Sequence, residues 1–407
     1  MAEEKLSRSG TRVTGFADEE LDFQLLRQLG ATSYGGASVG ETLALVPEIS
    51  GPADWVEAFR GLAERQRADG EERARRGHRV SALDALLRAA SSYRAAAYFS
   101  RFGEEEQRRL SFASRDAFLA AMEHADHRFE DVGYEFDGKR MPAYWLCPVD
   151  AKEPGPTLVA LSGFDGTLEE TYFQAALAGI ERGWRVLLIA GPGQMDTVRD
   201  HPDLPFVPDT ERWVGAALDG LAGRPEVDPE RLALLGISFG GYFASRAAAH
   251  EPRVRALVAN SPIVDLRAYM VAFVGMDPAQ LPDDQDFGVA DLAAIPDVEF
   301  PPPLKEMSRM LILRFGQPTF KATFEYLRRF VIEDLAAIRC PSLAMVGDGE
   351  GGEPAAQAQR FRDEVAGPVT VRAFGADEGS DMHCQIGNLS LSNAVAYDWL
   401  EEAFAGG

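Results

Sequence analysis

Ser238 is the residue whose neighbours best suit it for covalent chemistry. It lies in the segment GISFGG (236–241), between four apolar residues at 232–235 that predict a buried strand and an Ala-rich stretch at 242–250 that predicts a helix. A serine at the apex of a sharp strand–turn–helix connection, with glycines on both sides, has the arrangement of a nucleophile elbow. The turn forces the serine into a strained backbone conformation, and the glycines let strand and helix approach closely. We therefore predict that Ser238 is a catalytic nucleophile.

A serine hydroxyl is a weak nucleophile without a base, and His383 is the candidate for that base. The base needs an acid that fixes its tautomer, and after a nucleophile elbow the chain order is serine, acid, histidine. Of the six histidines, only His383 lies between the last predicted strand and the final helix, in the loop EGSDMHC (378–384). His250 ends the helix after Ser238 and is interpreted as a residue that complements the helix dipole.

The acid is expected just past a predicted strand that ends at Gly347, in the loop GDGEGGEP (347–354). Glu350 stands where such loops usually hold the acid, Asp348 is the alternative, and Glu353 is a third candidate. A solvated acidic loop would also suit a chain this acidic. The adjacent glycines favour a specific conformation instead, so the sequence favours Glu350 and leaves Asp348 open.

Two backbone amides should stabilise the oxyanion that forms during attack on a carbonyl. One is Phe239 N–H, which follows the nucleophile at a helix N-terminus, where free N–H groups favour negative charge. The other is expected in the loop SGFDGT (162–167), after a predicted buried strand. Phe164 N–H is the candidate there and Asp165 is the next. Asp165 is also a candidate substrate contact.

Three further residues are candidate substrate contacts because they follow the strand predicted at 254–259: Asp265, Arg267 and Tyr269. Ligands of open α/β sheets bind beyond the carboxyl ends of the strands, so these side chains could face a pocket. The alternative interpretation is that they anchor a cap.

These residues need a scaffold, and strands alternate with helices from 157 to 260. The alternation predicts an α/β fold with right-handed crossovers and a mostly parallel sheet covered by helices on both faces. It breaks after residue 262, where helices predicted at 304–315 and 319–335 indicate a cap insertion. An antiparallel hairpin that turns at 137–139 is expected at one edge of the sheet. The predicted organisation is a helical N-terminal region (1–128), a first part of the core (129–262), a helical cap (263–338) and a second part of the core (339–407).

Composition narrows the class of protein. The net charge of −23, from 41 Lys and Arg against 64 Asp and Glu, argues against nucleic acid or an anionic membrane as a partner. The three cysteines are far apart and show no metal-type spacing, which suits a reducing cytosol. The start MAEEKLSRSG lacks the apolar core of a signal peptide, and no apolar run approaches the ~18 residues of a membrane span. A soluble cytoplasmic protein is expected.

GPGQ (191–194) lacks the spacing of a dinucleotide or phosphate-binding fingerprint, and no cofactor or metal is expected.

Together these motifs resemble the α/β-hydrolase superfamily. The order of the segments SYGGA (33–37), GHRVSA (77–82), SGFDGT, GPGQ, GISFGGY and EGSDMHC is similar to that in a group containing the bacterial 2,6-dihydroxypseudooxynicotine hydrolase and the fungal heptaketide-shortening hydrolases. The resemblance covers nearly the whole chain and is loosest at 270–330. It implies a triad of Ser238, Glu350 or Asp348, and His383, with cleavage of a carbon–carbon bond next to a ketone, or action on esters and polyketide intermediates. It also implies a helical N-terminal region packed over the active site, often with dimerisation through it, so a homodimer is expected.

The resulting hypothesis is a serine hydrolase of α/β-hydrolase fold acting on a small acyl substrate such as a β-diketone or a polyketide-like compound. Esterase, acyltransferase, cyclase or elimination chemistry on the same residues stays open. The alternative from another class is a non-catalytic binding protein on a hydrolase fold, although such proteins usually lose the serine or the histidine.

Overall fold

The computed structural model describes residues 11–406. The segment MAEEKLSRSG, on which the signal-peptide expectation depends, lies outside the described residues. Helices make up most of the chain before residue 123 and cover both faces of a sheet after it. The described α-helices are α1 (Glu19–Gly30), α2 (Val39–Leu45), α3 (Pro52–Arg75), α4 (Arg79–Phe99), α5 (Glu105–Met122), α6 (Leu168–Thr171), α7 (Leu177–Glu181), α8 (Met195–Asp200), α9 (Thr210–Asp219), α10 (Phe239–His250), α11 (Leu266–Val274), α12 (Pro302–Phe315), α13 (Phe320–Tyr326), α14 (Gly352–Glu364) and α15 (Leu389–Ala405).

The central sheet has eight strands. The described strands, including two of a separate small sheet, are β1 (His127–Asp131), β2 (Tyr134–Phe136), β3 (Lys139–Met141), β4 (Ala143–Pro148), β5 (Gly155–Leu161), β6 (Arg185–Ile189), β7 (Val227–Ile237), β8 (Ala256–Asn260), β9 (Ser342–Gly347) and β10 (Val369–Phe374). The order across the large sheet is β1-β4-β6-β5-β7-β8-β9-β10. The pairs from β6 to β10 are parallel, whereas β4 runs antiparallel to β6 and β1 antiparallel to β4. The predicted α/β class with a mostly parallel sheet is confirmed.

Alternate residues of the central strands enter two hydrophobic cores. In β5, Leu158 and Ala160 join the core that includes α3 and α4, whereas Val159 and Leu161 join the core that includes α10, α12 and α13. This division follows from the two-residue repeat of a strand, which directs successive side chains to opposite faces. The N-terminal helices therefore pack on one face of the sheet, and the helices inserted between β8 and β9 continue the core of the other face.

The N-terminal helices pack closely because α4 is rich in alanine. Trp55 of α3 is 1% exposed, and its indole N–H donates to Ala95 O at 2.9 Å. Ser114 of α5 donates to Ala90 O at 2.8 Å on the same helix. Small side chains on α4 let both neighbouring helices reach its backbone. A helical N-terminal region is thus confirmed, whereas the division of the chain into four segments stays a prediction.

One expectation about local structure holds in part and another is wrong. The segments on either side of the turn at Asp137 and Gly138 do pair antiparallel at one edge of the large sheet, as β1 and β4, but the turn itself joins β2 to β3 in a small separate sheet. Gly133, with φ 53°, turns the chain out of the large sheet before β2 begins. The helix predicted at 319–335 ends at Tyr326, because Val331 forms an antiparallel bridge with Asp265 and needs extended backbone. Within residues 11–406, no helix combines the length and the hydropathy needed to cross a bilayer.

Candidate active site

The Ser238 elbow joins β7 to α10. Ser238 has φ 60° and ψ −127°, a conformation that L residues rarely adopt. A β-carbon on Gly236 would lie 1.9 Å from Gly240 O, and one on Gly241 would lie 1.7 Å from Ser261 O. Glycine at 236 therefore lets α10 begin directly beside β7, and glycine at 241 lets α10 lie against the backbone that follows β8. The strained turn holds Ser238 at the carboxyl edge of the sheet, as predicted for a nucleophile elbow.

His383 and Glu350 meet Ser238 in a chain of hydrogen bonds. His383 Nε2 lies 2.9 Å from Ser238 Oγ, and His383 Nδ1 lies 2.5 Å from Glu350 Oε2. Glu350 is fully buried, and its other oxygen accepts from Gly347 N–H at 2.9 Å. Asp348 is exposed to solvent. Of the two carboxylates that the sequence leaves open, the geometry favours Glu350 as the partner of the histidine.

The charges around His383 set its protonation. Burial disfavours the imidazolium, but interactions with the neighbouring Cys384 and with the carboxylate of Glu350 outweigh this effect and raise the pKa of His383 above its usual 6.5. A general base must be neutral to accept a proton, so the basic form of His383 becomes populated only as the pH rises.

We therefore expect the reaction of Ser238 with a fluorophosphonate to accelerate from acidic to alkaline pH, with its midpoint above 6.5. In Glu350→Gln the carboxylate charge is lost, the pKa of His383 falls, and the midpoint should move to lower pH. The measurement is the second-order labelling rate as a function of pH. A wild-type midpoint below 6.5, or no shift in the variant, would contradict the assignment.

The loop after β5 lies directly against the elbow. A β-carbon on Gly163 would come within 2.6 Å of Phe239 N, and the rings of Phe164 and Phe239 are 5.3 Å apart. The N–H groups of Phe164 and Phe239 have no hydrogen-bond acceptor among residues 11–406. Two amides without acceptors beside a candidate nucleophile could hold an oxyanion. The structure thus brings both predicted donors to Ser238.

Two buried arginines hold this loop from opposite sides. Arg27 of α1 binds Asp165 Oδ2 at 3.0 Å and Glu170 Oε1 at 2.6 Å. Arg314 of α12 donates to Phe164 O at 2.5 Å. Asp165, predicted as a substrate contact or as an amide donor, is thus in an ion pair with the N-terminal region. We name residues 163–165, together with these contacts, the clamped loop.

The candidate substrate contacts after β8 lie in different surroundings. Asp265 is the N-terminal capping residue of α11, because its side chain accepts from Ala268 N–H at 2.9 Å. Since α11 belongs to the inserted segment, this contact agrees with the alternative that Asp265 anchors the insertion. Arg267 pairs with Asp277 at 2.5 Å. Tyr269 is buried, and its Oη lies 3.4 Å from His383 Nδ1. Of these three residues, only Tyr269 contacts the histidine.

A cavity of about 430 Å³ lies at the junction of α5, α8 and α12. None of the predicted site residues lines it. Its walls include Phe102 and Met195, and both residues contact Arg314. Within residues 11–406, no group of three or more His, Cys, Asp or Glu side chains is arranged to hold a metal ion.

Comparison with known proteins finds a matching family model and several similar hydrolases. The prolyl oligopeptidase family model matches residues 214–285, which include Ser238 and Tyr269. The hydrolyase poxO of Penicillium oxalicum is 34% identical over 264 residues, and the match spans only 62% of this chain and 62% of that protein. The 20-hydroxy-prefusarin hydrolase FUS2 of Gibberella moniliformis is 29% identical over 96% of this chain and 98% of its own length.

A solved structure extends the likeness to the whole fold. The 2,6-dihydroxy-pseudo-oxynicotine hydrolase superposes with a TM-score of 0.73 at 19% identity, covering 93% of this chain and 96% of that one. At this identity the likeness concerns the fold, which includes a helical region before the sheet. The strand order, the glycine-flanked serine on a strand–turn–helix connection and the likeness to this solved structure show that the chain has the α/β-hydrolase fold.

Proposed function

We propose that this protein is a serine hydrolase that cleaves a carbon–carbon bond in a small β-diketone or polyketide-like substrate. One observation carries the proposal. Ser238 Oγ, His383 and Glu350 form a hydrogen-bonded chain of 2.9 and 2.5 Å next to two backbone amides that have no acceptor among the described residues. This arrangement supplies a nucleophile, a base, an orienting acid and an oxyanion site.

The first half of the reaction forms an acyl-enzyme. Ser238 Oγ attacks a substrate carbonyl while His383 Nε2 takes the hydroxyl proton. Glu350 stabilises the resulting imidazolium, and the amides of Phe164 and Phe239 bind the oxyanion. When the intermediate collapses, the bond between the attacked carbonyl carbon and its α-carbon breaks. The electron pair leaves as an enolate of the second ketone, which takes the proton from His383 and departs as a neutral ketone.

The second half of the reaction uses water. His383 removes a proton from a water molecule, the hydroxide attacks the acyl-enzyme ester, and Ser238 leaves as an alcohol after receiving that proton. The products are one carboxylic acid and one ketone. The C–C cleavage needs an electron sink next to the broken bond, which a β-diketone provides through its second carbonyl.

Aromatic surroundings and relatives support this substrate class. The ring of Phe164 lies 5.3 Å from that of Phe239 and 5.7 Å from that of Phe206, and the ring of Tyr269 lies 6.5 Å from that of Phe239. Flat conjugated molecules pack well against such rings. A likeness over nearly the full chain to proteins named as hydrolases of 20-hydroxy-prefusarin and of 2,6-dihydroxy-pseudo-oxynicotine points in the same direction.

The test compares a phenyl β-diketone, an aromatic polyketide mimic and p-nitrophenyl butyrate as substrates of the purified protein. We expect the diketone to yield acid and ketone in equal amounts, with an acyl adduct on the peptide that contains Ser238 detected by mass spectrometry. Turnover of the ester alone would replace this proposal with an esterase or acyltransferase. The absence of any acyl or fluorophosphonate adduct on Ser238 would favour a non-catalytic binding protein.

A further inference from the structure

Arg314 is a buried cation that the proposed reaction steps do not use. It lies in the last turn of α12 and is 1% exposed. Its guanidinium donates to Phe164 O at 2.5 Å and to Gly193 O at 2.6 Å, and Nη1 lies 3.2 Å from Met195 Sδ. A residue of the inserted helices is therefore hydrogen-bonded to the backbone of the clamped loop.

The surroundings of Arg314 are unusual for a charged group. Among residues 11–406, no carboxylate lies within 4 Å of its guanidinium. The Cζ atom lies 4.5 Å from the ring centre of Phe164, 4.8 Å from that of Phe206 and 5.2 Å from that of Phe102. Burial lowers the pKa of Arg314 to about 9. A buried cation without an ion-pair partner is costly, and two backbone carbonyls, three aromatic rings and the more distant charges of Asp165 and Asp196 offset part of this cost.

These contacts fix the residue that carries an oxyanion donor. Arg314 holds the carbonyl of Phe164 and stacks on its ring, while Arg27 holds the next residue, Asp165, at 3.0 Å. The preceding residue, Gly163, lies so close to Phe239 N that a β-carbon on it would come within 2.6 Å of that atom. The N–H of Phe164 lies in the peptide plane that contains the Gly163 carbonyl, whereas Arg314 holds the next plane, which contains Phe164 O. Because the ring of Phe164 and the neighbouring residues on both sides are also held, rotation of the first plane against the second is restricted, and the direction of the Phe164 N–H is restricted with it.

We propose that Arg314 is a positioning residue that orients the Phe164 amide toward the oxyanion through its specific contacts with the carbonyl and ring of Phe164. Its positive charge in an apolar environment also favours the developing negative charge. This inference rests on the proposed function, because it assigns Phe164 to the oxyanion site of Ser238.

Arg309 provides a matched control on the same helix. Its Nε and Nη2 donate to Phe102 O at 3.2 and 3.0 Å, so it also joins α12 to a backbone carbonyl. That carbonyl belongs to the N-terminal region and not to the clamped loop. Loss of Arg309 therefore weakens the seating of α12 without releasing Phe164.

The experiment measures the second-order rate of Ser238 labelling by a fluorophosphonate, whose P=O group would occupy the oxyanion site. We expect Arg314→Met to lower this rate by about 100-fold, as for other small displacements of catalytic groups. Arg309→Met should stay within about two-fold of the wild type, because the hydrogen bonds that it loses hold Phe102 O and not the clamped loop. Arg314→Lys keeps the charge but cannot bind two carbonyls through a planar fork, and it should fall between these variants.

A substrate that is turned over gives a second readout. Arg314→Met should lower kcat and leave KM nearly unchanged, because the amide acts mainly in the transition state. Thermal unfolding of each variant identifies those that fold. If Arg314→Met does not fold, the test of the inference passes to Arg314→Lys. A folded Arg314→Lys protein with the same labelling rate and the same kcat as the wild type would overturn the inference.

The outcomes separate this inference from the proposed function. Wild-type protein that does not react at Ser238 would overturn both. A reactive wild type with an equally reactive Arg314→Met would overturn the positioning role alone. Equal losses in Arg314→Met and Arg309→Met would also overturn it, since they would show that the seating of α12 matters without any specific contact to Phe164.

Discussion

Ser238→Ala is expected to lower kcat/KM for the preferred substrate by about 10⁵- to 10⁶-fold. The hydroxyl is the only atom of this residue that can attack a carbonyl, and His383 Nε2 already lies 2.9 Å from it. The residual rate would come from the oxyanion site and from substrate binding, which remain in the variant. The measurement is product release by wild type and variant, with a fluorophosphonate adduct as an independent readout.

Ser245, in the helix α10 that follows Ser238, offers a control for this substitution. It is fully buried, and its Oγ has no hydrogen-bond partner among residues 11–406. Removing an unpaired buried hydroxyl leaves no partner unsatisfied, so Ser245→Ala should keep wild-type activity and stability. If Ser238→Ala retained turnover comparable to that of Ser245→Ala, the nucleophile would have to be another residue.

Glu350→Gln is expected to lower kcat/KM by about 10³- to 10⁴-fold. The glutamine keeps the volume of the buried side chain but loses the charge that stabilises the imidazolium of His383. It also presents an amide that can donate to Nδ1, which favours the wrong tautomer. The 2.5 Å contact between Glu350 Oε2 and His383 Nδ1 is the structural basis for this expectation.

Asp348→Asn is the matched control, because Asp348 is the other carboxylate that the sequence leaves open. It is exposed, whereas Glu350 is fully buried. Its neutral variant should therefore retain activity within about two-fold, as is usual for surface positions. The kinetic constants of both variants, measured on the same substrate, decide the assignment. A large loss in Asp348→Asn with a small loss in Glu350→Gln would reverse it.

Local patterns predict much of this fold because they depend on neighbours in the chain. The strand predicted at 369–374 coincides with β10, and the alternation of strands and helices around Ser238 suffices for the parallel sheet. Chain order and loop position also single out His383. The choice between Glu350 and Asp348 depends on which side chain points into the protein. The sequence of the loop does not show this, because both carboxylates lie close together in it.

Contacts between distant segments could not be predicted in this way. Arg27 is 138 positions from Asp165, and Arg314 is 150 positions from Phe164. In the sequence, Arg314 lies near the end of a predicted helix, where a cation commonly complements the helix dipole. This ordinary explanation suffices for the residue, so the sequence does not indicate the hydrogen bond to Phe164 O. The end of α13 at Tyr326 likewise depends on a bridge between Val331 and Asp265 rather than on helix propensity.

The clamped loop has a consequence for how such a protein can diversify. Substrate range in this architecture would change most readily by exchanging the inserted helices, but α12 also supplies a hydrogen bond to Phe164. The N-terminal region carries the equivalent contact through Arg27. Under the proposed roles of Phe164 and Arg314, a change in the inserted helices would therefore also change reactivity at Ser238. Chimeras that graft either region from a relative would need to retain these arginines, or acquire new specificity together with a slower enzyme.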